Sequence, residues 1–211
     1  MMIRRSLLLF AAISAAVSAL SLESFSRRTF VRNVGVAAVT GASIAATSQP
    51  GLAATPPTGA KAPAFELGNS RGEGVTSLNN LVKARKWTVL YFYPGAFTSG
   101  CTLEARAFQR DIDQYRKFNA QIVGVSVDPV EKNASFCTAE GLDFYMLSDT
   151  GGRVSRLYGS ALSIPGFGTF SNRQTYLIDP SGNLRWVFTD VESHIARHSA
   201  EVLEKLAELA V

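Results

Sequence analysis

The hydrophobic pattern is densest in the middle of the chain. Val89, Leu90, Tyr91, Phe92 and Tyr93 form an unbroken apolar run, the mark of a strand buried on both faces, and Pro94 and Gly95 end it. Beyond Thr98, Ser99 and Gly100 the period changes. Phe108, Ile112, Tyr115 and Phe118 recur every three or four positions, which predicts a helix with one apolar face. Upstream, Phe65–Leu67 reads as a short edge strand and Leu78–Val82 as a short helix. Downstream, Ala120–Val127 is a second buried strand ending at Asp128-Pro129. Val130–Glu140 is a helix closed by Gly141, Phe144–Leu147 a strand, Gly152–Tyr158 a short helix and Ile164–Phe170 a loop. Gln174–Ile178 and Leu184–Phe188 read as two strands joined by the turn Pro180–Asn183. The last element, Ser193–Leu209, is an amphipathic helix with Ile195, Val202, Leu203, Leu206 and Leu209 on one side. Strands alternating with helices imply parallel pairing, and the late hairpin adds an antiparallel edge. The expected class is α/β, a central mixed sheet with helices on both faces.

The first 54 residues differ. They hold Arg4, Arg5, Arg27, Arg28 and Arg32 against one acid, Glu23, so the remainder of the 211 residues carries 16 basic and 16 acidic side chains. The net charge of +4 therefore belongs to the front segment, and a nucleic-acid-binding body is not expected. Met1–Ala19 has the form of a signal peptide: charged start, apolar run Leu7–Ala16, small-residue end Val17-Ser18-Ala19. The run is short for a membrane span, so no membrane insertion of the mature protein is expected. Residues 20–54 repeat the plan, with a twin-arginine form at Ser26–Arg32, a mildly apolar stretch Val34–Ala46 and a second small-residue site near Ala53-Ala54. Two stacked signals resemble bipartite leaders that reach a plastid by the secretory route and then its thylakoid lumen. A single transit peptide for a mitochondrion or plastid, or a secretory destination, are the alternatives. Residues 55–61 are a Pro- and Gly-rich linker, which leaves residues 62–211 as one folded domain.

The two cysteines, Cys101 and Cys137, both lie in the body, too few for a disulfide scaffold. Cys101 falls in the first turn of the central helix, where free backbone N–H groups and the helix dipole favour an anion. A cysteine there is placed to react as a thiolate.

Around Cys101 the sequence resembles the peroxiredoxins. Pro94-Gly95-Ala96-Phe97-Thr98-Ser99-Gly100-Cys101 fits their Pro-x-x-x-Thr-x-x-Cys signature, and Asn172–Phe188 is similar to the strand that carries their active-site arginine, here Arg173. The resemblance covers residues 62–211 and is nearest to the peroxiredoxin Q (bacterioferritin comigratory protein) group. It implies a thioredoxin-like fold and thiol-dependent reduction of hydrogen peroxide and organic hydroperoxides, without metal, haem or flavin. Cys101 would be the peroxidatic cysteine. Thr98 would orient the peroxide, Arg173 stabilise the leaving oxygen, Pro94 cover the pocket, and Glu104 hold the arginine. Many members place a second cysteine five positions after the first; that position is Arg106 here. Cys137 resembles the resolving cysteine of another subgroup, which implies an intramolecular Cys101–Cys137 disulfide recycled by a thioredoxin-like reductant. On separate helices the two should lie too far apart to bond until one helix partly unwinds. The lack of a C-terminal arm with a third cysteine suggests a monomer.

Other readings stay open. Cys137, beside Phe136, could be a structural core thiol, leaving a one-cysteine peroxidase. A disulfide oxidoreductase would need a Cys-x-x-Cys, absent around Cys101; a non-catalytic binding or chaperone module would keep the fold without turnover. Glu104 could be merely a favourable acid in a first helical turn. His194 and His198 share a helix face, where solvation is the expected state rather than a metal. Tyr91, Phe92, Tyr93, Phe108 and Phe118 are expected core, and Phe167 and Phe170 are candidates to flank the pocket mouth.

Overall fold

The computed structural model describes residues 54–72 and 74–210, so the leader expected over residues 1–54 lies, except for Ala54, outside the described residues. In chain order the elements are β1 (Glu66–Asn69), β2 (Val75–Ser77), α1 (Leu78–Lys83), β3 (Trp87–Phe92), α2 (Ser99–Lys117), β4 (Ala120–Ser126), α3 (Val130–Glu140) and β5 (Tyr145–Ser148). Then follow α4 (Arg153–Leu157), β6 (Ala161–Ile164), β7 (Gly168–Ser171), β8 (Gln174–Ile178), β9 (Leu184–Phe188) and α5 (His198–Leu209). Seven strands form one sheet in the order β2-β1-β5-β4-β3-β8-β9. β3, β4 and β5 run parallel through helical crossovers, while β8, β9, β1 and β2 pair antiparallel. The expected mixed sheet is what forms.

The period of two along β3 divides the interior. Trp87, Val89, Tyr91 and Tyr93 face one side, packed with Phe108 and Tyr115 of α2, Phe136 of α3, and Val202 and Leu206 of α5. Leu90 and Phe92 face the other, with Leu78 and Leu81 of α1, Val154 of α4 and Tyr158. Cys101 belongs to the first layer. That β3 is wholly buried explains why its sequence reads as continuous rather than alternating apolar.

Gly124 in β4 lies in register with Tyr91. A Cβ there would come 2.3 Å from Met146 Sδ and 3.0 Å from Tyr91 Cζ. Gly124→Ala is therefore expected to destabilise the fold by about 1–3 kcal/mol through overpacking, read as a lower urea midpoint with unchanged slope.

Three expectations need correction. Ile164–Phe170 is no loop: β6 and β7 form a separate two-stranded hairpin, with Gly166 and Gly168 at positive φ supplying its turn. Phe167 stands at its tip with 80% of its surface exposed, and Phe170 is half-buried. The last helix begins at His198 rather than Ser193, because Glu192–His194 makes a separate 3-10 turn. Ordered pairing also starts ahead of Ala62. The Gly59 amide donates to Leu184 O, the Leu184 amide to Ala60 O, and Lys61 bridges Asn183.

Candidate active site

The strand-to-helix turn after β3 delivers Cys101. Thr98 is the helix N-cap in extended backbone, and its hydroxyl donates to Gly95 O at 3.2 Å. Cys101 is the third helical residue, 1% exposed. The turn between Pro94 and Thr98 is braced from the connection after β4: the Asp128 carboxylate accepts from the Ala96 amide at 2.7 Å and from Lys132 Nζ at 2.6 Å. Pro94 is half-buried beside this turn. Phe97 takes φ +67° and is 52% exposed, its ring edge-on to Phe136 of α3 at 5.2 Å.

Arg173 sits just ahead of β8, whose N-terminal end pairs with the C-terminal end of β3, so the topology itself brings arginine and cysteine together. Its guanidinium is 5% exposed and triply placed. Nη1 donates to Glu104 Oε2 at 2.7 Å and Nε to Glu192 Oε2 at 2.8 Å. Nη2 lies over the helix start, where a Cβ on Gly100 would approach it to 2.8 Å. Glycine at 100 thus lets the guanidinium reach the first turn of α2. Burial acts against the arginine's charge, but Glu104, the Cys101 sulfur and Glu192 outweigh it and hold its pKa above the ordinary value. Glu104 is 1% exposed and lies past the first turn of α2, so it is not the first-turn acid its sequence position suggested.

Cys137, on α3, is half-buried where Cys101 is buried, and both are reduced. Its thiol donates to Ser70 Oγ at 3.3 Å, and burial pushes its pKa up while that hydrogen bond and Arg71 pull it down. It lines a cleft of 520 Å³ with Ser70, Arg71, Thr138 and Phe144. Burial raises the Tyr91 and Tyr93 hydroxyls well above the tyrosine range, and charge on either cysteine adds to the effect, so both rings lie within electrostatic reach of both sulfurs. Arg106, at the position five after Cys101, pairs with Glu140 at 2.5 Å and ties the end of α3 to α2.

Sequence reasoning missed four groups: Asp128, Asn133, Glu192 and His198. Asn133 accepts from Tyr93 OH at 2.6 Å and donates to Ser148 Oγ at 3.0 Å. The reading of His198 as solvated is wrong. It is fully buried because it shares the inward face of α5 with Val202 and Leu206, four and eight positions on, with Nε2 2.9 Å from Thr175 Oγ1 and Nδ1 2.8 Å from Glu104 Oε1. His194 instead lies 2.9 Å from the Glu201 carboxylate. Among the described residues no three His, Cys, Asp or Glu side chains converge as a metal set.

A cysteine in the first turn of a helix, under a buried arginine and on a thioredoxin-like sheet, defines a class of thiol-reactive protein. The chain belongs to the AhpC/TSA family, which its residues 58–187 match. It is similar to peroxiredoxin Q, chloroplastic, of Oryza sativa subsp. japonica, 34% identical over 72% of this chain and 67% of that one. The Sedum lineare protein of that name is also 34% identical, over 72% and 78%. Among solved structures, peroxidoxin BcpB from Mycobacterium tuberculosis superposes with TM-score 0.66 at 31% identity, over 72% of this chain and 96% of the other. Peroxiredoxin Q of Xanthomonas campestris gives 0.63 at 31%, over 70% and 92%. The protein is a thiol-dependent peroxidase, an oxidoreductase of the peroxiredoxin Q group with the thioredoxin-like fold.

Proposed function

We propose that the protein reduces hydrogen peroxide and organic hydroperoxides through Cys101, with Cys137 as resolving cysteine. The observation that carries the assignment is Arg173 Nη2 lying over the start of α2, where Cys101 sits. The Cys101 thiolate attacks one peroxide oxygen, the O–O bond breaks, and the second oxygen leaves as alcohol or water after taking up a proton. Arg173 faces the charge that grows on that oxygen, joined by the backbone N–H groups of the first turn. Thr98, whose hydroxyl reaches the Gly95 carbonyl, orients the peroxide, and Pro94 limits water. Glu104 holds the arginine.

The product is a sulfenic acid on Cys101. Attack by the Cys137 sulfur forms the S–S bond and releases water. Cys137 points to Ser70 and the cleft beside Arg71, so closure requires part of α3 to unwind and the Arg106–Glu140 pair to part. A thioredoxin-like dithiol then supplies the two electrons that restore both thiols. The protein acts as a monomer in a plastid, a placement supported by the chloroplastic names of its plant relatives. The thylakoid lumen follows from the stacked leader signals within residues 1–54.

Mass spectrometry after one equivalent of peroxide tests this scheme. The wild type should lose two mass units and give a Cys101–Cys137 cross-linked peptide, while Cys137→Ser should stop at a sulfenic acid on Cys101. Oxidation confined to Cys137 would refute the assignment. A cysteine thiol is mostly protonated at neutral pH, and burial on the folded α3 raises the Cys137 pKa further, so its reactive thiolate is scarce there and grows as pH rises. Disulfide formation, followed after rapid peroxide addition, should therefore accelerate from neutral into alkaline pH. A rate independent of pH across that range would remove Cys137 deprotonation from the limiting step.

A further inference from the structure

His198 plays no part in the steps above, yet it is wholly buried between α2 and β9, its ring against Phe108 and Phe188. Its Nδ1 lies 2.8 Å from Glu104 Oε1, out of line for a well-formed hydrogen bond, and neither atom has another partner. The other oxygen of that carboxylate accepts from Arg173 Nη1 at 2.7 Å. A carboxylate holding a buried guanidinium is an acceptor at both oxygens. A bare Nδ1 would leave an electron-rich nitrogen 2.8 Å from a carboxylate oxygen in a dry site with no proton between them, an arrangement burial does not tolerate. Nδ1 therefore carries the proton, and Nε2 accepts from the Thr175 hydroxyl at 2.9 Å.

We propose that His198 is a positioning residue for the peroxidase reaction: its Nδ1–H pins the free oxygen of Glu104, and the pinned carboxylate aims Arg173 at Cys101. The inference rests on the reading of Arg173 as the group that meets the leaving oxygen. Held at one oxygen, the carboxylate can turn about its last torsion and the guanidinium turns with it; held at both, it cannot. The same segment serves twice, since the turn that leads into His198 also brings Glu192 to Arg173 Nε.

Two substitutions separate positioning from mere packing. Asparagine places an amide nitrogen where Nδ1 stands, and glutamine places one where Nε2 stands. His198→Asn should keep the second-order rate of Cys101 oxidation within about threefold of wild type. His198→Gln, which loses the group facing Glu104, should lower it by about ten- to a hundredfold, the scale on which small misplacements act. In a Glu104→Gln background the His198→Gln change should add nothing further, because the route through the carboxylate is already broken. Equal rates in both single variants, or additive losses with Glu104→Gln, overturn the proposal. Nitrogen NMR of the wild-type imidazole tests it without any variant: a protonated Nδ1 is expected, and a bare Nδ1 overturns it. A wild type oxidised normally at Cys101 with the wrong His198 pattern sinks only this inference. A wild type that peroxide leaves unoxidised at Cys101 sinks the peroxidase scheme as well.

Discussion

Cys101→Ser should abolish peroxide consumption with dithiothreitol, a loss on the order of a thousandfold or more, because no other group at the site can become the nucleophile. A serine hydroxyl stays protonated at neutral pH even under an arginine, and oxygen lacks the polarisability that makes sulfur quick to attack O–O bonds. The fold should hardly notice. The side chain is nearly isosteric, and Arg173 Nη2, which the helix start leaves facing this position, can meet the new hydroxyl. Unfolding stability within about 1 kcal/mol of wild type is therefore expected. Residual turnover in the serine variant, lost only when Cys137 is also removed, would move the peroxidatic role to the other sulfur.

Arg173 gives the second large effect. Its three nitrogens do different work, Nε on Glu192, Nη1 on Glu104, and Nη2 over the start of α2. Lysine keeps the charge but offers one compact centre in place of a planar fork, so it cannot serve all three directions. Arg173→Lys should slow Cys101 oxidation by about 10²–10³-fold, the scale of losing a preorganised donor to a growing oxyanion. Arg173→Met removes the charge altogether and leaves Glu104 buried beside His198, an uncompensated ion that costs about 3–5 kcal/mol. Stopped-flow oxidation with urea unfolding on both variants separates the two roles. Lysine should lose far more in rate than in stability, and methionine heavily in both. A lysine variant as fast as wild type would mean the arginine serves only the fold.

The proposed nucleophile and the arginine beside it were legible because their signals are local or motif-borne. The switch from strand to helix period at Pro94 placed Cys101 at a helix start without any knowledge of the rest of the chain. The resemblance supplied Arg173, and topology then explained why β8 brings it there. Glu104, read as a holder of the arginine, does accept from its Nη1 at 2.7 Å, though its near-complete burial was not foreseen. What escaped was whatever depends on distant chain. Asp128 looked like a strand terminator but braces the turn ahead of Cys101. His198 looked like half of a surface pair with His194, although its spacing of four and eight from Val202 and Leu206 puts it on the buried face of α5. The hairpin at Ala161–Ser171 was hidden by its glycines and by strands too exposed to alternate.

The edge-on contact of Phe97 with Phe136 joins two segments that the proposed disulfide cycle would separate. A phenylalanine at φ +67° sits where side chains crowd the backbone, at about 1–2 kcal/mol, and its ring rests on the residue next to Cys137. In the proposed cycle, swinging Cys137 toward Cys101 would withdraw Phe136 and leave Phe97 free to relax to an ordinary conformation and turn its ring outward. Reduced and disulfide-bonded molecules would then present different aromatic surfaces beside the reactive sulfurs, a distinction that a reductase can sense by touch before any electron moves.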